Sequence, residues 1–304
     1  MVDLPGPRQR LVVVGVDGAP DGQRALDWAA AEAERRRWPL QIEHAVEYAS
    51  AGLAVSLGPE PALAEDHAIA QQIVDTAVAD VRRSWPTVEV AGEWVAGDPA
   101  AVLARTATER DILVVGSRGL VRIASALLGS VSSAVVGYAV SPVVVVPDTD
   151  PLPRRPDGPR GVVLGVDGSA ASTAATRFAF EAASVRGAPL TVVHAVWDPY
   201  TKSQAVVAVL SDPKRVVVDE SERLDVAETI AGWREQFPDV RVVTRYANGR
   251  PDRVLADVGE VADLLVVGAR GRGSAASVLL GSVSRHVLKR ARCPVAIVRC
   301  RPGS

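Results

Sequence analysis

The sequence predicts an α/β protein of two tandem, doubly wound domains, each a five-stranded parallel sheet with helices on both faces. Three observations carry this reading. Blocks of the first half return in the second, short β-branched runs alternate with helical patterns in both halves, and a proline-rich stretch divides them. LVVVGVDG at 11–18 returns as VVLGVDG at 162–168, and HAV at 44–46 as HAV at 194–196, both 150 residues on. ILVVGSRG at 112–119 returns as LLVVGARG at 264–271, and LLGSVS at 127–132 as LLGSVS at 279–284, both 152 residues on. Four blocks in one order at nearly constant offset indicate an internal duplication. PDTDPLPRRPDGPR at 147–160 holds five prolines and no apolar period, which makes it a stiff, extended linker. The expected division is a first domain over 1–147, a linker over 148–160 and a second domain over 161–304.

The elements follow in order. LVVVGV, PLQIEHAV, VEVAGEWV, ILVVGS and PVVVVP read as five strands of the first copy, and GVVLGV, PLTVVHAV, VRVVTRYA, LLVVGA and PVAIVR as five of the second. Several are apolar on successive residues, the pattern of strands covered on both faces and therefore of a parallel sheet between helices. The first helix, over about 21–37, carries Ala25, Trp28 and Ala29 at helical spacing, matched by Ala175, Phe178 and Ala179. A longer connection, 47–84 and 197–236, holds a polar-faced helix. Two further helices follow in each copy, over 99–109 and 130–140 in the first and over 251–261 and 282–292 in the second.

Composition excludes several classes of function. The net charge of −2 and a pI near 6.1 give no field for holding a polyanion, so neither nucleic acid nor an acidic membrane is expected as a partner. No apolar run reaches the roughly 18–20 residues of a membrane span, and the N-terminal MVDLPGPRQR lacks the apolar stretch of a signal peptide, so a cytoplasmic protein is expected. Cys293 and Cys300 flank one strand and stand about 20 Å apart when it is extended, too far for a disulfide. Both are expected as thiols. The four histidines are scattered, with no metal-ligand spacing.

In an open parallel sheet, ligands collect at the carboxyl ends of the strands. After the first strand of each copy comes Asp17-Gly18 or Asp167-Gly168-Ser169, after the second the HAV edge, and after the fourth a glycine-rich loop. That loop reads Gly116-x2-Gly119-x9-Gly129-Ser130 and Gly268-x2-Gly271-x9-Gly281-Ser282. Glycines let the backbone approach an anion closely, and the Gly-Ser pair opens a helix whose free amides and dipole favour phosphate. Identical spacing in two copies points to nucleotide binding. Arg118 and Arg270 lie inside the loop and can reach a phosphate. His44 and His194, at matching strand ends, read better as structural residues than as ligands of the site. Asp111 and Asp263, just before the fourth strands, read better as turn residues than as catalytic ones.

GVDG after the first strand together with the G-x2-G-x9-G-[ST] loop resembles the universal stress protein family, in its ATP-binding subgroup and tandem-domain form. The resemblance covers nearly the whole chain outside the linker and the termini. It implies a nucleotide across the strand ends, with Asp17 and Asp167 at adenine and ribose and Val46 and Val196 near the adenine. Gly116, Gly119, Gly129, Ser130 and Val131 would hold ribose and phosphates in the first copy, and Gly268, Gly271, Gly281, Ser282 and Val283 in the second. Ala19 departs from the family's usual Ser, which Ser169 retains, and the missing hydroxyl bears on helix capping.

The resemblance implies an ATP-binding regulatory protein of stress or dormancy responses, with magnesium held through the phosphates and a regulatory protein partner. A module for AMP or cyclic AMP and a slow ATPase are the alternatives. An ATP-consuming enzyme fits poorly. The three lysines, Lys202, Lys214 and Lys289, follow no glycine, so the GK[ST] phosphate loop is absent, and the glycine motif contains no carboxylate pair to hold metals or a base. A homodimer built through the first copy is expected from its last helix, where Ser133, Gly137 and Val140 stand on the outer face opposite the second copy's Arg285, Lys289 and Arg292.

Overall fold

The computed structural model describes residues 9–19, 22–47, 60–117, 129–149, 160–169, 172–197, 218–271 and 280–300, with side chains from 65 onward in the helix that starts at 60. The chain forms two compact units, Met1–Asp148 and Thr149–Ser304. Residues 150–159 of the expected linker lie outside the described residues. Asp148 is tied to the first unit: its amide donates to Ser117 Oγ at 3.1 Å and its carboxylate meets Arg24 at 3.3 Å.

In the first unit the order is β1 (Val12–Gly15), α1 (Gly22–Arg36), β2 (Leu40–Val46), α2 (Glu60–Ser84), β3 (Val90–Ala96), α3 (Pro99–Thr106), β4 (Ile112–Gly116), α4 (Ser130–Tyr138) and β5 (Val143–Val146). The strands are all parallel, in the spatial order β3-β2-β1-β4-β5. The second unit repeats this as β6 (Val162–Val166), α5 (Thr173–Arg186), β7 (Leu190–Val196), α6 (Glu220–Gln236), β8 (Val242–Asn248), α7 (Pro251–Gly259), β9 (Leu264–Gly268), α8 (Ser282–Arg290) and β10 (Val295–Val298). Its order is β8-β7-β6-β9-β10, again parallel.

Residue type explains the layering. The central strands are runs of Val, Leu and Ile buried on both faces, as in β4 and β5. The edge strands β3 and β8 alternate with exposed residues and carry the charges Glu93 and Arg245. Helices cover both faces. A side chain at Gly92 would strike Val74 and Val78 of α2, whereas one at Gly15 would strike Leu103 of α3. The expected stripe of α1 is buried at Ala25 and Ala29, with Leu26 and Ala30 beside it.

The turns before β4 and β9 are built on the two aspartates. Asp111, 2% exposed, accepts from the amides of Leu11 and Thr108 and from the Thr108 hydroxyl at 2.6–2.8 Å. Asp263 accepts from the Gly161 amide at 3.0 Å. Cys293 and Cys300 are both thiols, and burial pushes Cys293 up to about 12, which leaves it unreactive. Among the described residues, no helix is long and apolar enough to cross a membrane.

Candidate functional site

In each unit the strand order reverses beside the first strand. β1 is followed outward by β2 and β3 on one side and by β4 and β5 on the other, so a crevice opens at the carboxyl ends of β1 and β4. Topology therefore brings the Asp-Gly turn and the glycine loop together. The turn is the same in both units. Gly18 and Gly168 take φ values of +76° and +72°, conformations that a side chain disfavours. Asp17 Oδ1 accepts from the Ala19 amide, and Asp167 Oδ1 from the Ser169 amide, each at 3.0 Å. Ser169 adds its hydroxyl at 2.6 Å to the same oxygen. This corrects the capping role expected at that position: the N-cap residue of α5 is Ser172, and the Ser169 hydroxyl braces the aspartate instead.

The second half of the loop motif ends on a helix start. Gly129 is the N-cap of α4 and Gly281 that of α8, both with extended backbone and neither with a side-chain cap. The first backbone bonds of the helices are Ser133 to Gly129 and Arg285 to Gly281. The amides of Ser130, Val131 and Ser132 precede that bond, as do those of Ser282, Val283 and Ser284, and they form the positive end of the helix dipole. Each helix start is pinned to its strand. The Gly129 amide donates to Ser117 O at 2.7 Å and Ser132 Oγ to Gly116 O at 2.6 Å. The second unit matches them with Gly281 to Ala269 O at 2.8 Å and Ser284 Oγ to Gly268 O at 2.7 Å. Such an arrangement can hold an anion against backbone amides.

A sequence model described as the universal stress protein family matches residues 9–147 and 159–299. The chain belongs to the universal stress protein family. Universal stress protein Rv2005c of Mycobacterium tuberculosis is 37% identical over 296 residues, 96% of this chain and 98% of its own length. Universal stress protein Rv2623 of the same organism is 36% identical over 299 residues, 95% of this chain and 96% of its own. The crystal structure of a universal stress protein from Archaeoglobus fulgidus superposes with a TM-score of 0.67 at 18% identity, covering 96% of this chain and 99% of that one, and shares its fold. A universal stress protein solved in complex with cAMP is 30% identical over 45% of this chain and 97% of its own, with a TM-score of 0.36.

Within this tandem universal stress protein, the expected site residues come together most visibly in the second unit. A side chain on Gly271 would sit 2.5 Å from Asp167 Oδ2, so the loop backbone lies against the aspartate that follows β6. A side chain on Gly281 would stand 3.5 Å from the Arg270 Cα. Val46 and Val196 end β2 and β7 at the same edge of their sheets, half-buried, and their carbonyls accept from Gly97 and Gly249. Arg118 and Gly119 lie outside the described residues. His44 and His194 each place Nδ1 at 2.8–3.1 Å from the carbonyl of Val16 or Val166, and so tie the second strand to the end of the first. A cleft of about 230 Å³ also opens in the first unit, between the turn at Val16 and Gly18 and the facing sides of α1 and α2, lined by Leu26, Ile69 and Ile73. It adjoins Asp17 but touches neither Gly116 nor the start of α4.

Two groups escaped the sequence reading. Ser132 and Ser284 are the clamps of the helix starts, and their signal was the second serine of the repeated GSVS. Arg299 directly follows β10, where the first copy has Pro147, and β10 pairs with β9 beside Ala269 and Arg270. Burial, and then the positive charge of Arg270, hold its guanidinium below the ordinary arginine range. Two cations thus converge beside the second loop.

Proposed function

We propose that each domain, over 1–147 and 161–304 on either side of the 148–160 linker, binds one adenine nucleotide and that the chain is a regulatory protein of stress or dormancy responses. ATP is the ligand of choice, with magnesium held through its phosphates. The observation that carries this reading is the uncapped, serine-clamped helix start at the switch point, built twice from the same spacing. In the first domain Asp17 and Val46 face ribose and adenine, and Gly116, Arg118, Gly119, Gly129, Ser130 and Val131 the ribose and phosphates. Asp167, Val196, Gly268, Arg270, Gly271, Gly281, Ser282 and Val283 repeat these roles in the second. Amides and a helix dipole stabilise ground-state phosphate, but turnover needs groups aimed at the transition state, so the protein senses nucleotide rather than consuming it. Titration of nucleotide-stripped protein with ATP, AMP and cyclic AMP tests the ligand, and a turnover number of about 1 per second or more with ATP would make it an enzyme instead.

The working form is a cytoplasmic homodimer built through the first domain, and it signals to a regulatory protein partner. Tyr138, 65% exposed, and Val140, 43% exposed, give the first domain an apolar outer edge, where the second domain exposes Arg285, Lys289 and Arg292. Gly137, expected on that outer face, is buried, because a residue without a side chain is covered by its neighbours; Tyr138 takes its place. Val140→Arg should weaken self-association in sedimentation velocity and Arg292→Glu should not; a dimer indifferent to the Val140 change removes this contact.

A further inference from the structure

One buried acid stands apart from the nucleotide loops. Glu43 lies in the middle of β2, 1% exposed, and its Oε2 makes no hydrogen bond. The register sets it directly opposite Glu93 of β3, an arrangement of like charges that disfavours strand pairing. On its other side it faces Gly15 of β1, whose lack of a side chain brings Leu103 of α3 over this face. The Gln41 amide reaches both acids, at 3.3 Å from Glu43 Oε1 and 3.5 Å from Glu93 Oε1. From α3 the polar neighbour is the Thr106 hydroxyl, while Arg105, the charged residue of that helix, is exposed. No cation among these described neighbours is placed to neutralise the pair. Burial first, and then the charge and hydrogen bond of Glu93, raise the Glu43 carboxyl from 4.5 to about 7. Among the described residues, the matching positions of the second domain hold no such pair. They are Val193, 1% exposed, and Arg245 opposite it.

We propose that Glu43 holds a proton against Glu93, and that its gain and loss make the pairing of β2 with β3 in the first domain responsive to pH. A proton between the acids satisfies the buried oxygen and removes the repulsion across β2 and β3. The sign follows from linkage. A carboxyl that holds its proton more tightly folded than unfolded contributes its full stability below the unfolded pKa and loses it as pH rises to the folded one. The window is therefore about pH 4.5 to 7, with the opening constant of the first domain rising by up to about tenfold per pH unit and levelling above 7.

The test uses the full chain labelled with ¹³C at the glutamate carboxyls, titrated by NMR. One carboxyl resonance should titrate near neutrality, vanish in Glu43→Gln and move to lower pH in Glu93→Gln. Hydrogen exchange of segment 40–46, corrected for intrinsic rates, should show a loss of protection between pH 5 and 7 in the wild type. That loss should be absent in Glu43→Gln and, if this variant does not fold, reduced in Glu93→Gln. A spectrum with no glutamate titrating above about pH 6, or a neutral midpoint that survives the loss of Glu43, overturns the proposal. So does a pH dependence of segment 40–46 that Glu43→Gln and Glu93→Gln both leave unchanged.

Discussion

Gly271→Val should remove one bound adenine nucleotide per chain and leave the other in place. The first atom of the new side chain would lie 2.5 Å from Asp167 Oδ2, inside any real contact distance. Either the aspartate swings away, which breaks its bonds to the Ser169 amide and hydroxyl, or the loop backbone retreats from β6. Each response spoils the crevice where ribose and phosphate are proposed to lie. A loss of about 100-fold in affinity at that site, or ~3 kcal/mol, is the expected scale. The change lies at the rim of the sheet, so the circular dichroism spectrum of the folded chain should be unaltered. A variant that still takes up two nucleotides at wild-type affinity would place the ligand elsewhere.

Asp111→Ala should lower the stability of the first domain by about 3 kcal/mol, because two backbone amides and a hydroxyl lose their acceptor together in a buried turn. Asp263→Ala removes the acceptor of the Gly161 amide at a half-buried position and should cost about 1–2 kcal/mol. Chemical denaturation of the two variants side by side reads the difference. Equal losses, or a loss below about 1 kcal/mol for Asp111, would mean that the turn before β4 does not depend on its carboxylate.

The strands, their parallel pairing and the duplication were legible because valine runs and repeated blocks report burial directly. The switch point was legible too, since Asp17 follows one strand and Gly116 ends its neighbour once the order of the elements is known. What periodicity cannot report is the partner of a polar side chain. Ser169 reads as a helix cap from its position before α5, yet its hydroxyl finds the nearer carboxylate of Asp167. Ser132 looks like one more residue of a helix start, and only the packing of α4 on β4 shows that its hydroxyl holds Gly116. Glu43 sits inside an alternating strand pattern where an acid suggests a solvent face. The arrival of α3 over Gly15 buries it. Arg299 was hidden for a similar reason, since its neighbour Arg270 is 29 residues away in sequence and adjacent only through the pairing of β9 with β10.

The central claim is that the duplicated helix starts are two nucleotide sites. Isothermal titration of the nucleotide-free full chain with ATP tests it most directly, with AMP and cyclic AMP run in parallel. Two adenine nucleotides bound per chain, falling to one in Gly271→Val, is the predicted result. Absence of binding by all three nucleotides, or binding that Gly271→Val leaves unchanged in number and affinity, would contradict it.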